Sequence, residues 1–184
     1  MDLISEGYLA QMRAMHERPE GFGGKGARWA PAVFDIARQL AAGPVPVRGI
    51  LDYGTGQGTL PGALAARGMN VRGYDPAVVE FAAEPIQADI VVCTDVLEHV
   101  EPACLGDVLF HLQVLTLQVL FVVVALEPCG KTLPDGRNAH INLKTAGEWH
   151  REFNGRFRPA EPALQRLVPP VGEKHYASIW RADT

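Results

Sequence analysis

The chain reads as an α/β domain built on a mostly parallel sheet. Three observations predict it: strand and helix patterns alternate between residues 47 and 126, the strands there are continuously apolar, and the first runs straight into a glycine-rich turn. Residues 3–40 are helical in two pieces. The segment Pro19-Glu20-Gly21-Phe22-Gly23-Gly24-Lys25-Gly26 splits them, because its glycines interrupt any continuous helix. In the second piece, residues 29–40, Val33, Ile36, Ala37 and Leu40 share one face, which predicts packing on a sheet. After the turn Gly43-Pro44-Val45-Pro46, residues 47–53 read as a buried strand, 60–67 as a helix and 70–74 as a second strand. Residues 88–94 form the next strand, 103–116 a helix and 119–126 the most apolar strand. The tail changes character. Residues 146–153 make a short helix, and 163–168 and 175–181 read as two strands joined by Pro169-Pro170-Val171-Gly172, predicting a C-terminal antiparallel hairpin.

The length of 184 residues fits one domain, with N-terminal helices and a loop over residues 1–42, an α/β core over 47–126 and a loop plus hairpin over 127–184. Hydrophobic residues make up 47% and charged residues 21%, the balance of a compact globule rather than a disordered chain. The longest apolar run, residues 112–126, is interrupted by Gln113, Thr116 and Gln118 and falls short of the ~20 residues of a membrane span. No secretion signal is visible at the start, so a cytoplasmic location is expected. Cys93, Cys104 and Cys129 are odd in number and form no CxxC pair, which argues against a disulfide framework and a structural zinc knot. A net charge of −4 gives no general pull toward phosphate backbones, so a small molecule or a chain end is a more natural partner than extended nucleic acid. The oligomeric state is left open.

The chemistry starts at Asp52-Tyr53-Gly54-Thr55-Gly56-Gln57-Gly58. Glycines after a first strand let the backbone approach a nucleotide cofactor closely, but a dinucleotide fingerprint needs its third glycine at position 59, which is Thr59. That spacing, with no evident hydride-transfer pair, sets an NAD-type oxidoreductase aside. Asp52, placed before the turn, suits the ammonium of a methionine moiety by charge pairing. Asp75 ends the second strand in Val71-Arg72-Gly73-Tyr74-Asp75-Pro76, where a carboxylate can accept from two ribose hydroxyls.

These residues, followed by Ala88-Asp89-Ile90-Val91-Val92-Cys93-Thr94-Asp95-Val96-Leu97-Glu98-His99-Val100, resemble the class I S-adenosylmethionine (SAM)-dependent methyltransferases, in particular the small methyltransferase-11-like type of phage and bacterial genomes. The likeness covers about residues 47–126. It implies a Rossmann-like fold, with Asp52, Gly54, Thr55, Gly56 and Gly58 at the amino acid end of SAM, Asp75 and Pro76 at the ribose, and Thr94 and Asp95 at the active-site edge. One departure stands out. Between Asp75 and Ala88 there is no room for the family's usual helix and third strand, which would supply an acid near the adenine amino group. The sheet is expected to be trimmed by one strand.

Methyl transfer to a small-molecule or chain-end acceptor follows, at oxygen more naturally than at a ring carbon. The Asp/Asn-Pro-Pro-aromatic turn of base-amino enzymes is replaced by Thr94-Asp95-Val96-Leu97, and the one Pro-Cys pair, Pro128-Cys129, follows the wrong strand for cytosine chemistry. If residues 95–99 open a helix, Asp95, Glu98 and His99 share a face, and His140 can complete the cluster. Asp95, His99 and His140 are the candidate catalytic residues. With Glu98 they also form a candidate Mg²⁺, Mn²⁺ or Zn²⁺ set, which resembles the acid-x-x-Glu-His arrangement of metal-assisted O-methyltransferases. The same Glu-His pair occurs in metal-free relatives, where His99 caps or packs. Residues 21–26 are the expected lid, with Phe22 and Trp29 near the cofactor or acceptor, and Lys131 or Arg137 as anion contacts. The competing reading is a non-catalytic SAM-binding module or regulatory partner.

Overall fold

The computed structural model describes residues 1–18 and 22–183. Helix α1 (Glu6–His16) starts where the Ser5 hydroxyl accepts the Tyr8 N–H at 3.3 Å, and α2 (Ala30–Ala41) carries Pro31 in its first turn. The chain then alternates through β1 (Ile50–Tyr53), α3 (Thr59–Ala65), β2 (Val71–Tyr74), β3 (Ala88–Thr94), α4 (Leu105–Leu115) and β4 (Thr116–Ala125). It ends with α5 (Ala146–Asn154), β5 (Arg158–Pro159), α6 (Pro162–Gln165) and β6 (His175–Arg181).

The six strands lie in the order β2-β1-β3-β4-β6-β5. Strands β1 to β4 run parallel, and β6 pairs antiparallel with both β4 and β5. The period-two pleat divides the core between two faces. Val91, Cys93, Leu120, Val122 and Trp180 pack with α4 and α5, through Leu109, Leu112, Trp149 and Phe153. Ile90, Val92, Phe121, Val123 and Ile179 pack with α2 and α3, through Val33, Ile36, Leu60 and Leu64. Every residue of β3 is buried, as a parallel strand covered on both sides requires. Trp149, Phe153 and Trp180 are wholly inside, which makes them packing residues.

Register brings the functional strand ends level. Asp52 pairs with Gly73 and Val92, and Thr94 with Val123, so the carboxyl ends of β1 to β4 open on one edge, where ligands of α/β sheets bind. Between β2 and β3 the described chain contains only a 3-10 turn at Val79–Phe81, which leaves the sheet one strand short, as the spacing predicts.

Two expectations are corrected. Residues 163–168 do not form a strand; α6 stands there, begun by Pro162 in its first turn. Leu164, Leu167 and Val168 reach the core at helical i, i+3, i+4 spacing, and β6 finds its antiparallel partners in β4 and β5 instead. Residues 95–99 do not open an α-helix either. Asp95 takes φ 58°, and Leu97–His99 form a single 3-10 turn.

Candidate functional site

Strand β1 delivers Asp52 to the base of the glycine turn, where the Thr55 hydroxyl donates to its carboxylate at 2.6 Å. Burial pushes the Asp52 carboxyl up to about 7; the Thr55 hydrogen bond opposes that rise, and the Asp75 charge adds to it. Gly54, Gly56 and Gly58 take φ 77°, 53° and 68°, the left-handed region. At Gly56 the need is also steric, because a Cβ there would lie 2.5 Å from the Gly23 carbonyl oxygen. Asp75, at the end of β2, is buried and accepts from Gly56 N–H at 3.0 Å and Ala77 N–H at 2.9 Å. Two carboxylates therefore bracket one turn of backbone.

The turn opens into a cavity of about 930 Å³, near the top of the roughly 300–1,000 Å³ typical of small-molecule sites. Asp52, Gly54, Thr55, Gly56, Asp75, Pro76, Thr94 and Asp95 all line it. Gly58 does not. It precedes α3, where a Cβ would meet the Phe81 ring at 2.6 Å, and Gln57 takes the wall position.

The histidine end of the cavity is assembled from two loops. Glu98 is fully buried, its Oε1 accepts the Ala125 N–H at 3.1 Å, and its Oε2 has no partner. Burial drives the Glu98 carboxyl up to about 8 and holds the His99 imidazole down to about 4. His99 Nδ1–H donates to the Ala139 carbonyl at 2.8 Å, and His140 Nδ1–H donates to the Glu127 carbonyl at 2.6 Å. These bonds make Nδ1 the donor nitrogen of both rings and leave Nε2 as the acceptor of the neutral His99 ring. Glu98, His99 and His140 thus come together, with one ligand-type atom from each within 4.8 Å of the others. Asp95 does not join them. Its carboxylate takes the Arg28 guanidinium at 2.5 Å and the Trp29 indole N–H at 3.2 Å, because the positive φ at Asp95 turns it toward the entry to α2.

Gly21 lies outside the described residues, but Phe22–Gly26 of the expected lid can be followed. The Gly23 carbonyl accepts from Gln57 N–H at 3.2 Å, and the Gly24 carbonyl from the Thr59 hydroxyl at 3.3 Å, so the loop is docked on the glycine turn. Phe22 sits edge-on between His16 and His99, each 5.2 Å away, and Lys131 lies over its ring at 5.4 Å. Trp29 is spent on Asp95 and Phe121 rather than on the cavity wall. Arg137 pairs with Asp135 at 2.7 Å and stacks over Tyr8. Cys93 is buried in β3, and Cys129 edges the cavity with its thiol directed at the Lys131 carbonyl.

Sequence reasoning missed α1 as part of the site. Tyr8, Met12 and His16 line the cavity, and the Tyr8 hydroxyl donates to the His99 carbonyl at 2.7 Å. The signal was present, since positions 8, 12 and 16 fall on one helical face.

No curated protein matches the chain in sequence. Among solved structures, magnesium protoporphyrin IX methyltransferase from Synechocystis, with bound S-adenosylhomocysteine (SAH), aligns at TM-score 0.59 and 17% identity, over 97% of this chain and 95% of that one. The 1,6-didemethyltoxoflavin-N1-methyltransferase of Burkholderia thailandensis aligns at TM-score 0.60 and 16% identity, over 100% and 93%. Human N-acetylserotonin methyltransferase aligns at 0.56 and 17%, over 98% of this chain and 57% of that one. At these identities the likeness shows a shared fold. A family model described as a methyltransferase domain matches residues 27–156, which takes in the glycine turn, both strand-end acids and the two histidines, and the chain therefore belongs to the methyltransferase-domain family.

Proposed function

We propose that this chain transfers a methyl group from SAM to a hydroxyl of a small-molecule or chain-end acceptor. The observation that carries the reading is one continuous cavity of about 930 Å³ joining the Asp52 and Asp75 end to the His99 and His140 end. Its volume suits a donor and an acceptor side by side. The residues fit SAM: Asp52 would hold its ammonium, the glycine turn its carboxylate and chain, and Asp75 the ribose. When bound, SAM supplies a methyl group already activated as a sulfonium.

The protein's own work is to align acceptor and methyl and to receive a proton. When the acceptor oxygen takes the methyl group and SAM leaves as SAH, Nε2 of His99 or His140 would receive the hydroxyl proton. Burial keeps His99 neutral, and its Nδ1 bond to Ala139 fixes the tautomer. A small ring acceptor is in keeping with the similar structure that holds 1,6-didemethyltoxoflavin together with SAH.

Calorimetric titration with SAH tests the cofactor half. Binding to the native chain is expected, with Asp75→Ala weakening it about a hundredfold or more, the size of two lost charge-assisted hydrogen bonds. Equal affinity in the variant overturns the assignment of the ribose. For the chemical half, His99→Ala or His140→Ala is expected to lower kcat about 10²–10⁴-fold at unchanged SAH affinity, the usual range for an acid-base group.

A second reading rests on the same pair. The Nδ1 bonds that fix both tautomers, together with the unpartnered Oε2 of Glu98, are what a divalent ion would need around it. Glu98, His99 and His140 would hold the ion, without Asp95, and the ion would acidify the acceptor hydroxyl. Chelation separates the two. With imidazole as the base, methyl transfer persists in EDTA-treated protein. In the metal reading transfer stops, SAH still binds, and Mn²⁺ or Mg²⁺ restores the native chain but not His140→Ala.

No helix among the described residues is long and apolar enough to cross a membrane.

A further inference from the structure

SAM binding, as proposed above, leaves one part of the ligand without a wall. With its amino acid end at Asp52 and its ribose at Asp75, the adenine must lie beyond Asp75, on the side away from Asp52. There the sheet offers nothing, because the connection from Asp75 to Ala88 has no strand. The last turn of helix α1 reaches the Asp75 end of the cavity. The helix crosses the cavity from Ser5, whose N–H and hydroxyl donate to Glu101 at 2.8 and 2.9 Å, to His16, whose Nε2 lies 3.8 Å from Asp75.

Tyr8, Met12 and His16 all face the cavity, and Tyr8 and Met12 share one apolar cluster with Ala77, two residues past Asp75. The His16 side chain is 11% exposed, and its Nδ1 is buried with no partner. A buried polar atom in that state is costly unless a ligand satisfies it. A flat purine needs apolar walls of adaptable shape with a polar atom at its rim, and the Met12 thioether and the His16 imidazole supply them.

We propose that α1 contributes to the adenosine subsite of this chain, with Met12 as an apolar wall for the base and His16 as the polar contact beside Asp75. The N-terminal helix is then part of the cofactor site rather than a cover for the acceptor alone.

This inference rests on the SAM reading, and calorimetry with SAH and with 5′-methylthioadenosine, which lacks the amino acid end, separates the two. Met12→Ala and His16→Ala are each expected to weaken both ligands by the same factor, about tenfold. Asp52→Ala should weaken SAH and leave 5′-methylthioadenosine unchanged. Met15→Ala, which is fully buried and off the cavity, controls for loss of helix packing and should alter neither affinity at a temperature where it is folded.

Unchanged 5′-methylthioadenosine affinity in both α1 variants overturns the inference and leaves the SAM reading standing. Failure of the native chain to bind SAH overturns the SAM reading itself. If the α1 variants do not fold, photo-crosslinking of the native chain with 8-azido-SAM decides by peptide mapping. Label within residues 6–16 is expected, and label confined to other segments overturns the subsite.

Discussion

Asp52→Asn is expected to make the ligand-free protein more stable at pH 8 while abolishing measurable SAH binding. Asp52 is buried, and its carboxyl titrates near 7 instead of its ordinary 3.8, so at pH 8 the fold holds a negative charge in a place that disfavours it. That difference corresponds to a penalty on the order of 2–4 kcal/mol. The Thr55 hydroxyl can donate to an amide oxygen as it does to the carboxylate, so the substitution removes the charge and keeps the hydrogen bond. Because the folded pKa is raised, the native acid favours folding fully only below pH 3.8, and that contribution is lost as pH rises through 7. The stability gap between variant and native chain should therefore open between these limits and level off above them. Binding follows the opposite sense. SAH affinity of the native chain should fall as pH drops below about 7, since the ammonium needs the ionised acid. Thermal melts and calorimetry across this range check both; a native chain as stable as Asp52→Asn at pH 8 defeats the prediction.

Gly56→Ala is expected to be the most damaging single methyl group in the chain. At φ 53° an alanine is strained by roughly 1–2 kcal/mol. The added Cβ would also sit 2.5 Å from the Gly23 carbonyl oxygen and 2.8 Å from Gly23 Cα, backbone atoms that can yield only if the whole loop shifts. The Gln57 N–H to Gly23 bond breaks with it. Strain and overpacking together should cost about 2–4 kcal/mol, and SAH affinity should fall at least about tenfold as the loop leaves the turn. Gly62→Ala in α3 makes a matched control. Nothing lies within 4 Å of its Cβ, and the change should stabilise the helix by about 0.5–1 kcal/mol. A Gly56→Ala protein that melts with the native chain shows the loop is not docked as described.

The parts of this molecule that were legible in the chain are those set by local pattern. Continuous apolar runs gave β3 over its full length and β4 in its apolar half, and the glycine spacing placed a turn of positive φ directly after β1. The gap between Asp75 and Ala88 was too short for a helix and strand, and it is a loop with one 3-10 turn. Pattern failed where two periods fit the same letters. Residues 163–168 satisfy a strand until Pro162 and the i, i+3, i+4 spacing of Leu164, Leu167 and Val168 make α6 of their start.

What the sequence by itself determined is thus the α/β class, the methyltransferase family and the pair of acids around the glycine turn, because each depends on residues close together in the chain. The tertiary structure alone decided which distant groups meet. It turned Asp95 away from Glu98 and onto Arg28 from the entry to α2, brought His140 to His99 through two backbone carbonyls, and laid His16 of α1 beside Asp75. Those contacts join residues 41 to 67 positions apart, and their geometry comes from how helices and loops pack across the sheet edge, for which local periodicity carries no signal.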